Sequence, residues 1–163
     1  DFKIMIQIIL TISTIIFVLY RQLSEQMVKH RTKNYIIIII IGLSLVATQS
    51  SGMKWNVSLI TIIILGDILF PSLLGWLRAK YTIIWTNKNQ IVMRKGNIVT
   101  IVLWLIYIIG HGALTYFVRD NENFMLFSIG ISLLVQREVI WINSRKKFSI
   151  QIRNNERLQL YKK

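Results

Sequence analysis

The sequence predicts an all-α integral membrane protein built as a bundle of about five transmembrane helices. Two observations lead to this class: 53% of the 163 residues are hydrophobic and only 17% are charged, and the apolar residues form blocks about as long as a bilayer is thick. A soluble domain instead alternates short apolar and polar pieces. We therefore expect residues 1–163 to form a single transmembrane domain.

The apolar blocks give the expected helices in chain order. They cover residues 4–20, 35–51, 56–77, 97–118 and 123–142, and a polar tail follows at 143–163. A helix that rises 1.5 Å per residue needs about 20 residues to cross about 30 Å of hydrocarbon. Each block has about that length, so each is expected to cross once.

The basic residues predict the orientation of these helices. The segments 21–34, 78–96 and 143–163 carry four, five and seven Lys and Arg residues, which is 16 of the 20 in the chain. By the positive-inside rule, the amino terminus lies outside the plasma membrane and the carboxyl terminus lies in the cytoplasm. The residues expected at the inner interface are Arg78, Arg94, Lys95, Arg137, Arg145, Lys146 and Lys147.

The net charge of +13 therefore needs no nucleic-acid partner. A basic inner face attracts anionic lipids of the bilayer, at about 1 kcal/mol per basic residue near the surface. Topology alone also explains these charges, and it is the simpler interpretation.

A short β-hairpin is predicted between the third and fourth helices. Two β-prone runs flank the polar turn "TNKN" within residues 81–96, and the basic residues place the hairpin in the cytoplasm. It is either a structured connector, which we favour, or an edge on which a partner strand docks.

Catalytic and metal-binding motifs are missing from the sequence. The chain has no cysteine and two histidines, and no Gly-rich phosphate loop or metal-binding motif occurs. We expect a non-enzymatic protein with no cofactor and no metal.

Part of the sequence resembles a known family. The stretches "NQIVMRKGNIVTIVLWLIYIIGHGALTYF", "FMLFSIGISLLVQREVIWINSRK" and "IIFVLYRQL" are similar to the CcdC-type family of small membrane proteins of Gram-positive bacteria. The resemblance implies a compact polytopic membrane fold and, from the family's name, an association with cytochrome c maturation.

Asp67 is the most informative polar residue inside an apolar block. It is near the middle of the third block, where an ionised carboxylate costs about 2.5 to 3.5 kcal/mol. Pro71 has no amide hydrogen to donate to the carbonyl oxygen of Asp67. Carboxylate and backbone oxygen could together hold a water, a proton or a cation.

His111 is the expected partner of Asp67. Its depth in the fourth block differs from that of Asp67 by about one helical turn, and Gly110 and Gly112 permit close helix packing. The pair is either a proton or ligand site, or a polar contact that fixes helix packing, and we weight packing slightly more.

Two further contacts are expected in the fifth helix. Ser128, Gly130 and Ser132 form a row of small residues, which indicates a close internal or intermolecular contact. Glu138 is expected to pair locally with Arg137.

The sequence favours an accessory or immunity-type protein that binds another membrane component, either a membrane-protein partner or a second copy. The alternative is a small transporter or a proton- or ligand-binding membrane protein that uses Asp67 and His111.

Overall fold

A computed structural model describes residues 2–49, 55–118 and 124–161. This part of the chain is mostly helical and contains a small three-stranded sheet. The helices are α1 (Phe2–Leu23), α2 (Thr32–Gln49), α3 (Val57–Tyr81), α4 (Ile98–Phe117), α5 (Met125–Lys147) and α6 (Ile152–Tyr161). The strands are β1 (Gln26–Met27), β2 (Ile83–Thr86) and β3 (Val92–Lys95).

Three of the described helices, α3, α4 and α5, are long and apolar enough to cross a membrane. Two shorter apolar stretches lie in α1 and α2, at Ile12–Leu23 and Thr32–Thr48. The predicted helical membrane class is therefore confirmed at this coarser level. The count of five spans stays a prediction.

Polar side chains fix where two of the long helices begin. Asn56 accepts a hydrogen bond from the amide of Leu59 at the start of α3, at 2.7 Å. Asn97 accepts from the amide of Thr100 at the start of α4, and the Thr100 hydroxyl accepts from the amide of Asn97. Such caps satisfy amides that have no partner within the helix.

The helix α3 changes its winding in the middle. It is α-helical over Val57–Ile63, π-helical over Ile64–Leu69 and α-helical again over Phe70–Tyr81. Proline at 71 removes an amide hydrogen that a regular α-helix would use, and the amide of Phe70 donates to the carbonyl of Leu65, five residues back. Such π-helical turns often mark functional sites.

Glycines allow the helices to approach closely. A Cβ added at Gly75 of α3 would lie 2.4 Å from the carbonyl oxygen of Ser132 in α5, and one at Gly42 of α2 would lie 2.6 Å from the amide nitrogen of Phe127. One added at Gly110 would lie 2.8 Å from the Phe70 ring, whereas Gly112 faces open space. Of the two glycines expected to permit close packing, only Gly110 does so.

The three-stranded sheet lies at one end of the bundle, which we call the sheet end. Its order is β1-β3-β2 with both pairs antiparallel. The predicted hairpin corresponds to β2 and β3, and the sequence analysis missed β1, which pairs with the free edge of β3. The predicted β-hairpin is therefore present, and β1 adds a third strand to it. Its placement in the cytoplasm stays a prediction.

The segment after the fifth helix is not a simple tail. The helix α5 continues to Lys147, five residues beyond the predicted boundary, and α6 then packs against the sheet. Buried Asn155 of α6 accepts a hydrogen bond from the amide of Val92 and donates to the carbonyls of Val28 and Val92. An apolar cluster that includes Ile152 and Trp141 completes this contact.

Candidate functional site

Asp67 lies inside the protein on the π-helical turn of α3. Its side chain is 0% exposed, and the neighbouring Gly66 lets Leu114 of α4 approach, since a Cβ at Gly66 would be 2.4 Å from a Leu114 methyl carbon. Pro71, one turn further on, is also fully buried. The π-helical turn thus positions the carboxylate toward α4.

His111 of α4 meets this carboxylate. Its Nε2 lies 3.2 Å from Oδ1 of Asp67, and its side chain is 3% exposed. The other ring nitrogen, Nδ1, lies 3.4 Å from the hydroxyl of Thr115. The structure therefore brings together the two residues that the sequence analysis placed at similar depth, while their role in binding stays a prediction.

Further buried polar groups continue from this pair toward the sheet end. Tyr107, one turn from His111 on α4, has its ring centroid 6.0 Å from the imidazole, and its hydroxyl lies 2.8 Å from the hydroxyl of Ser128 on α5. The Phe70 ring stacks on Tyr107 at 6.4 Å. Tyr107 and Ser128 are both fully buried.

Arg78 of α3 is the next polar group. Its Nη2 donates to the Ser132 hydroxyl at 2.6 Å and its Nε to the amide oxygen of Gln136 at 3.0 Å. The guanidinium also lies over the Trp104 ring, 4.0 Å from its centroid, which favours a cation. The amide nitrogen of Gln136 then donates to the amide oxygen of Gln22 of α1 at 2.9 Å.

We call this set the buried polar column. Its members share burial and positions on the inward faces of four helices; they are Asp67, His111, Tyr107, Ser128, Ser132, Arg78, Gln136 and Gln22. The sequence predicts only the first two as a pair. The four-residue spacing of Ser128, Ser132 and Gln136 was the available signal for the rest, because residues four apart share one helix face.

The row of small residues in α5 makes internal contacts. Ser128 and Ser132 bond to Tyr107 and Arg78, while a Cβ at Gly130 would lie 2.9 Å from a side-chain carbon of Ile39 in α2. Small side chains are required here because α2 and α3 both pack on α5. Of the internal and intermolecular contacts expected for this row of small residues, the structure shows the internal one.

Two of the residues expected at the inner interface are buried within the protein, and the predicted depth of the set stays a prediction. Arg78 is 0% exposed and Arg94 is 4% exposed, because the first turns into the bundle and the second lies on the central strand of the sheet. Arg137 is half-buried, and the remaining residues of the predicted set are exposed: Lys95, Arg145, Lys146 and Lys147.

Glu138 contacts a different partner from the one expected. Its carboxylate lies 3.2 Å from Nε2 of His30 and accepts a hydrogen bond from the Thr32 hydroxyl. The predicted local pair with Arg137 is wrong, because adjacent helical residues point in different directions.

The chemistry available in the buried polar column is proton binding and hydrogen bonding. Counted from a carboxylate and a neutral imidazole, the Asp–His pair has no net charge when it binds one proton and a charge of +1 when it binds two. Among the described residues, no group of three or more His, Cys, Asp and Glu side chains could hold a metal ion.

Comparison of the chain with models of known protein families, with curated proteins and with solved structures finds no match. The resemblance to the CcdC-type family stays a prediction.

Proposed function

We propose that this chain is a small multipass membrane protein that binds a proton at the Asp67–His111 pair. The observation that carries the proposal is the contact of two protonatable side chains, 3.2 Å apart and almost completely buried. Binding, not chemical conversion, is the proposed activity. Ionisable residues at this depth of a membrane helix are expensive, and by default they mark function.

The surroundings of the pair support proton binding over a purely structural role. Helix packing needs only neutral hydrogen bonds, and the chain uses one nearby, between Tyr107 and Ser128. An amide at position 67 would pack at a lower cost than a carboxylate. The buried polar column also extends from the pair to the sheet end, so proton exchange is proposed to occur on that side.

We propose the plasma membrane as the location, with five crossings and the sheet end in the cytoplasm. The basic loops support this orientation. The contacts of α2 support a crossing by that helix, because Gly42 abuts Phe127 and Ile39 abuts Gly130. These contacts place α2 alongside α5, antiparallel to it.

Nitrogen-15 NMR of histidine-labelled protein in lipid bilayers tests the proton site. The chain has two histidines, so His30→Gln leaves the ring signals of His111 alone. We expect these signals to change between neutral and cationic imidazole as the bulk pH is lowered. In this background Asp67→Asn should alter this change, whereas Glu138→Gln, which removes a carboxylate that contacts His30 in the wild type, should leave the His111 signals unchanged.

A single neutral form of His111 at every pH at which the protein remains folded would exclude the proton site. A genetic assay adds a second criterion. Proton binding predicts that Asp67→Asn preserves protein level and abolishes activity, because the amide keeps the shape and removes the exchangeable charge. A packing role predicts that Asp67→Asn is tolerated and that Asp67→Leu lowers the protein level.

The second candidate is an accessory or immunity-type protein that binds another membrane component. It is favoured by α1, which packs on the bundle near its sheet end through Val18 and Leu19 and leaves apolar residues such as Ile9 and Ile16 exposed. A photo-crosslinker at Ile9 should then capture a protein in native membranes, and one at Val18 should capture none. Lipid adducts alone at Ile9 would remove this candidate.

A further inference from the structure

A strongly basic cavity lies at the sheet end, separate from the Asp67–His111 pair. Its volume is about 380 Å³, and it is formed by the end of α1, β1, the segment leading into α2, β3 and α5. Five of its lining side chains are cationic, and none of the lining side chains within the described residues is acidic. The cationic residues of this basic cavity are Arg21, Lys29, Arg31, Arg94 and Arg137.

Gln26 holds two of the arginines at the cavity. Its amide oxygen accepts from Nη2 of Arg94 at 2.8 Å and lies 3.4 Å from Nη2 of Arg21, and its amide nitrogen donates to the carbonyl of Arg21. Gln26 and Arg94 are directly opposite each other on β1 and β3, so their side chains share one face of the sheet. Two guanidinium groups thus converge on one neutral oxygen.

Arg137 approaches the cavity from α5. Tyr35 of α2 forms a hydrogen bond with its side chain, while the buried Nε atom of Arg137 makes no hydrogen bond within the described residues. A buried donor of this kind is destabilising until it finds an acceptor. Arg137 therefore offers a donor for an oxyanion.

The positive-inside rule does not explain this arrangement. It requires basic residues in inner loops, but it does not require them to converge, nor does it require Arg94 to be 4% exposed. Like charges around one cavity repel each other, and an anion relieves that repulsion. Arginine is also the side chain best suited to grip phosphate oxygens in pairs.

We infer that the basic cavity binds a phosphate group, with Arg21, Arg94 and Arg137 as its principal donors. The volume is larger than a bare phosphate needs and admits the group to which it is attached. Two sources share this chemistry: the headgroup of an anionic phospholipid, for which basic pockets between helices at the inner surface are typical sites, and a soluble phosphate compound. This binding is independent of the proton site proposed above.

The melting temperature of the full chain in a neutral detergent tests the inference. The probes are short-chain phosphatidylglycerol and sodium phosphate; phosphatidylcholine and sodium chloride at equal ionic strength are the controls. A molecule that binds only the folded protein stabilises it by RT ln(1 + [L]/Kd), so the dependence of the melting temperature on ligand concentration gives the half-saturating concentration. We expect a concentration-dependent rise with at least one of the two probes and none with the controls.

Gln26→Glu is the decisive variant, because it keeps the side-chain shape and places a carboxylate between Arg94 and Arg21. We expect it to retain or raise the melting temperature without ligand and to raise the half-saturating ligand concentration about tenfold, since each charge-assisted contact is worth about that factor. Gln90→Glu makes the same charge change in the exposed hairpin turn and should leave the half-saturating concentration unchanged. If Gln26→Glu does not fold, Arg21→Gln at an exposed position replaces it.

The pattern of responses identifies the source of the phosphate. A rise with phosphatidylglycerol alone, or with both probes, supports a lipid headgroup, and a rise with sodium phosphate alone supports a soluble compound. No rise with either probe, or equal half-saturation for the wild type, Gln26→Glu and Arg21→Gln, overturns the inference.

Discussion

The contact between Asp67 and His111 makes a quantitative prediction about stability. Two unit charges at the observed 3.2 Å interact by about 5 kcal/mol at an effective dielectric constant of about 20. A neutral hydrogen bond inside a membrane is worth about 0.6 kcal/mol, and about 1.7 kcal/mol at most. The coupling energy of the pair therefore reports its charge state.

A double-mutant cycle measures this coupling. The variants are Asp67→Asn, His111→Gln and their combination, and the readout is the free energy of unfolding in mixed micelles titrated with a denaturing detergent. We expect each single substitution to lower the free energy of unfolding strongly, because it leaves the partner uncompensated in a buried site. The same substitution made when the partner is already replaced should lower it less. A coupling above about 2 kcal/mol indicates an ion pair, and one near 1 kcal/mol a neutral hydrogen bond.

The control cycle combines Asp67→Asn with Ser144→Ala. Ser144 is a buried residue near the carboxyl end of α5. Independent sites add to within about 0.5 kcal/mol, so this cycle should show no coupling. If the effects of the Asp67 and His111 substitutions are equally additive, the contact contributes nothing to stability, and the two residues do not form a coupled site.

Three further predictions concern the fold and topology. Gly75→Ala should lower the free energy of unfolding by about 1 to 3 kcal/mol, because the added Cβ meets the backbone of Ser132. Gly112→Ala, whose Cβ meets no atom, should be neutral or stabilising by up to about 1 kcal/mol. Equal effects of the two substitutions in the same unfolding assay would contradict the close packing of α3 on α5. Asn155→Ala should destabilise the docking of α6 because three hydrogen bonds to buried backbone groups are lost. The loss should appear as faster amide hydrogen exchange in the sheet; unchanged exchange would refute this. In whole cells, an impermeant maleimide should label Cys at position 51, which lies outside the described residues, and not Asn87→Cys in the hairpin; the reverse pattern would invert the topology.

The sequence determined the class of the protein because apolar block length and loop charge are local properties. The blocks 56–77 and 97–118 correspond closely to Val57–Tyr81 and Ile98–Phe117. The turn around Asn87 also marked the β2–β3 hairpin. The similar depths of Asp67 and His111 followed from counting residues along straight helices, since rise per residue is nearly constant.

Tertiary structure alone decided which helix faces meet. No local pattern shows that Arg78 turns inward to Ser132 and Gln136, since a basic residue at the end of an apolar block is equally typical of an interface. The two-residue strand β1 is too short to carry a strand signal and exists because β3 offers it a free edge. The placement of Asn155 against that sheet depends on a contact across 63 residues of chain. Sequence patterns record the depth and polarity of each residue, whereas the direction in which each side chain points depends on the rotation of every helix, and packing sets that rotation.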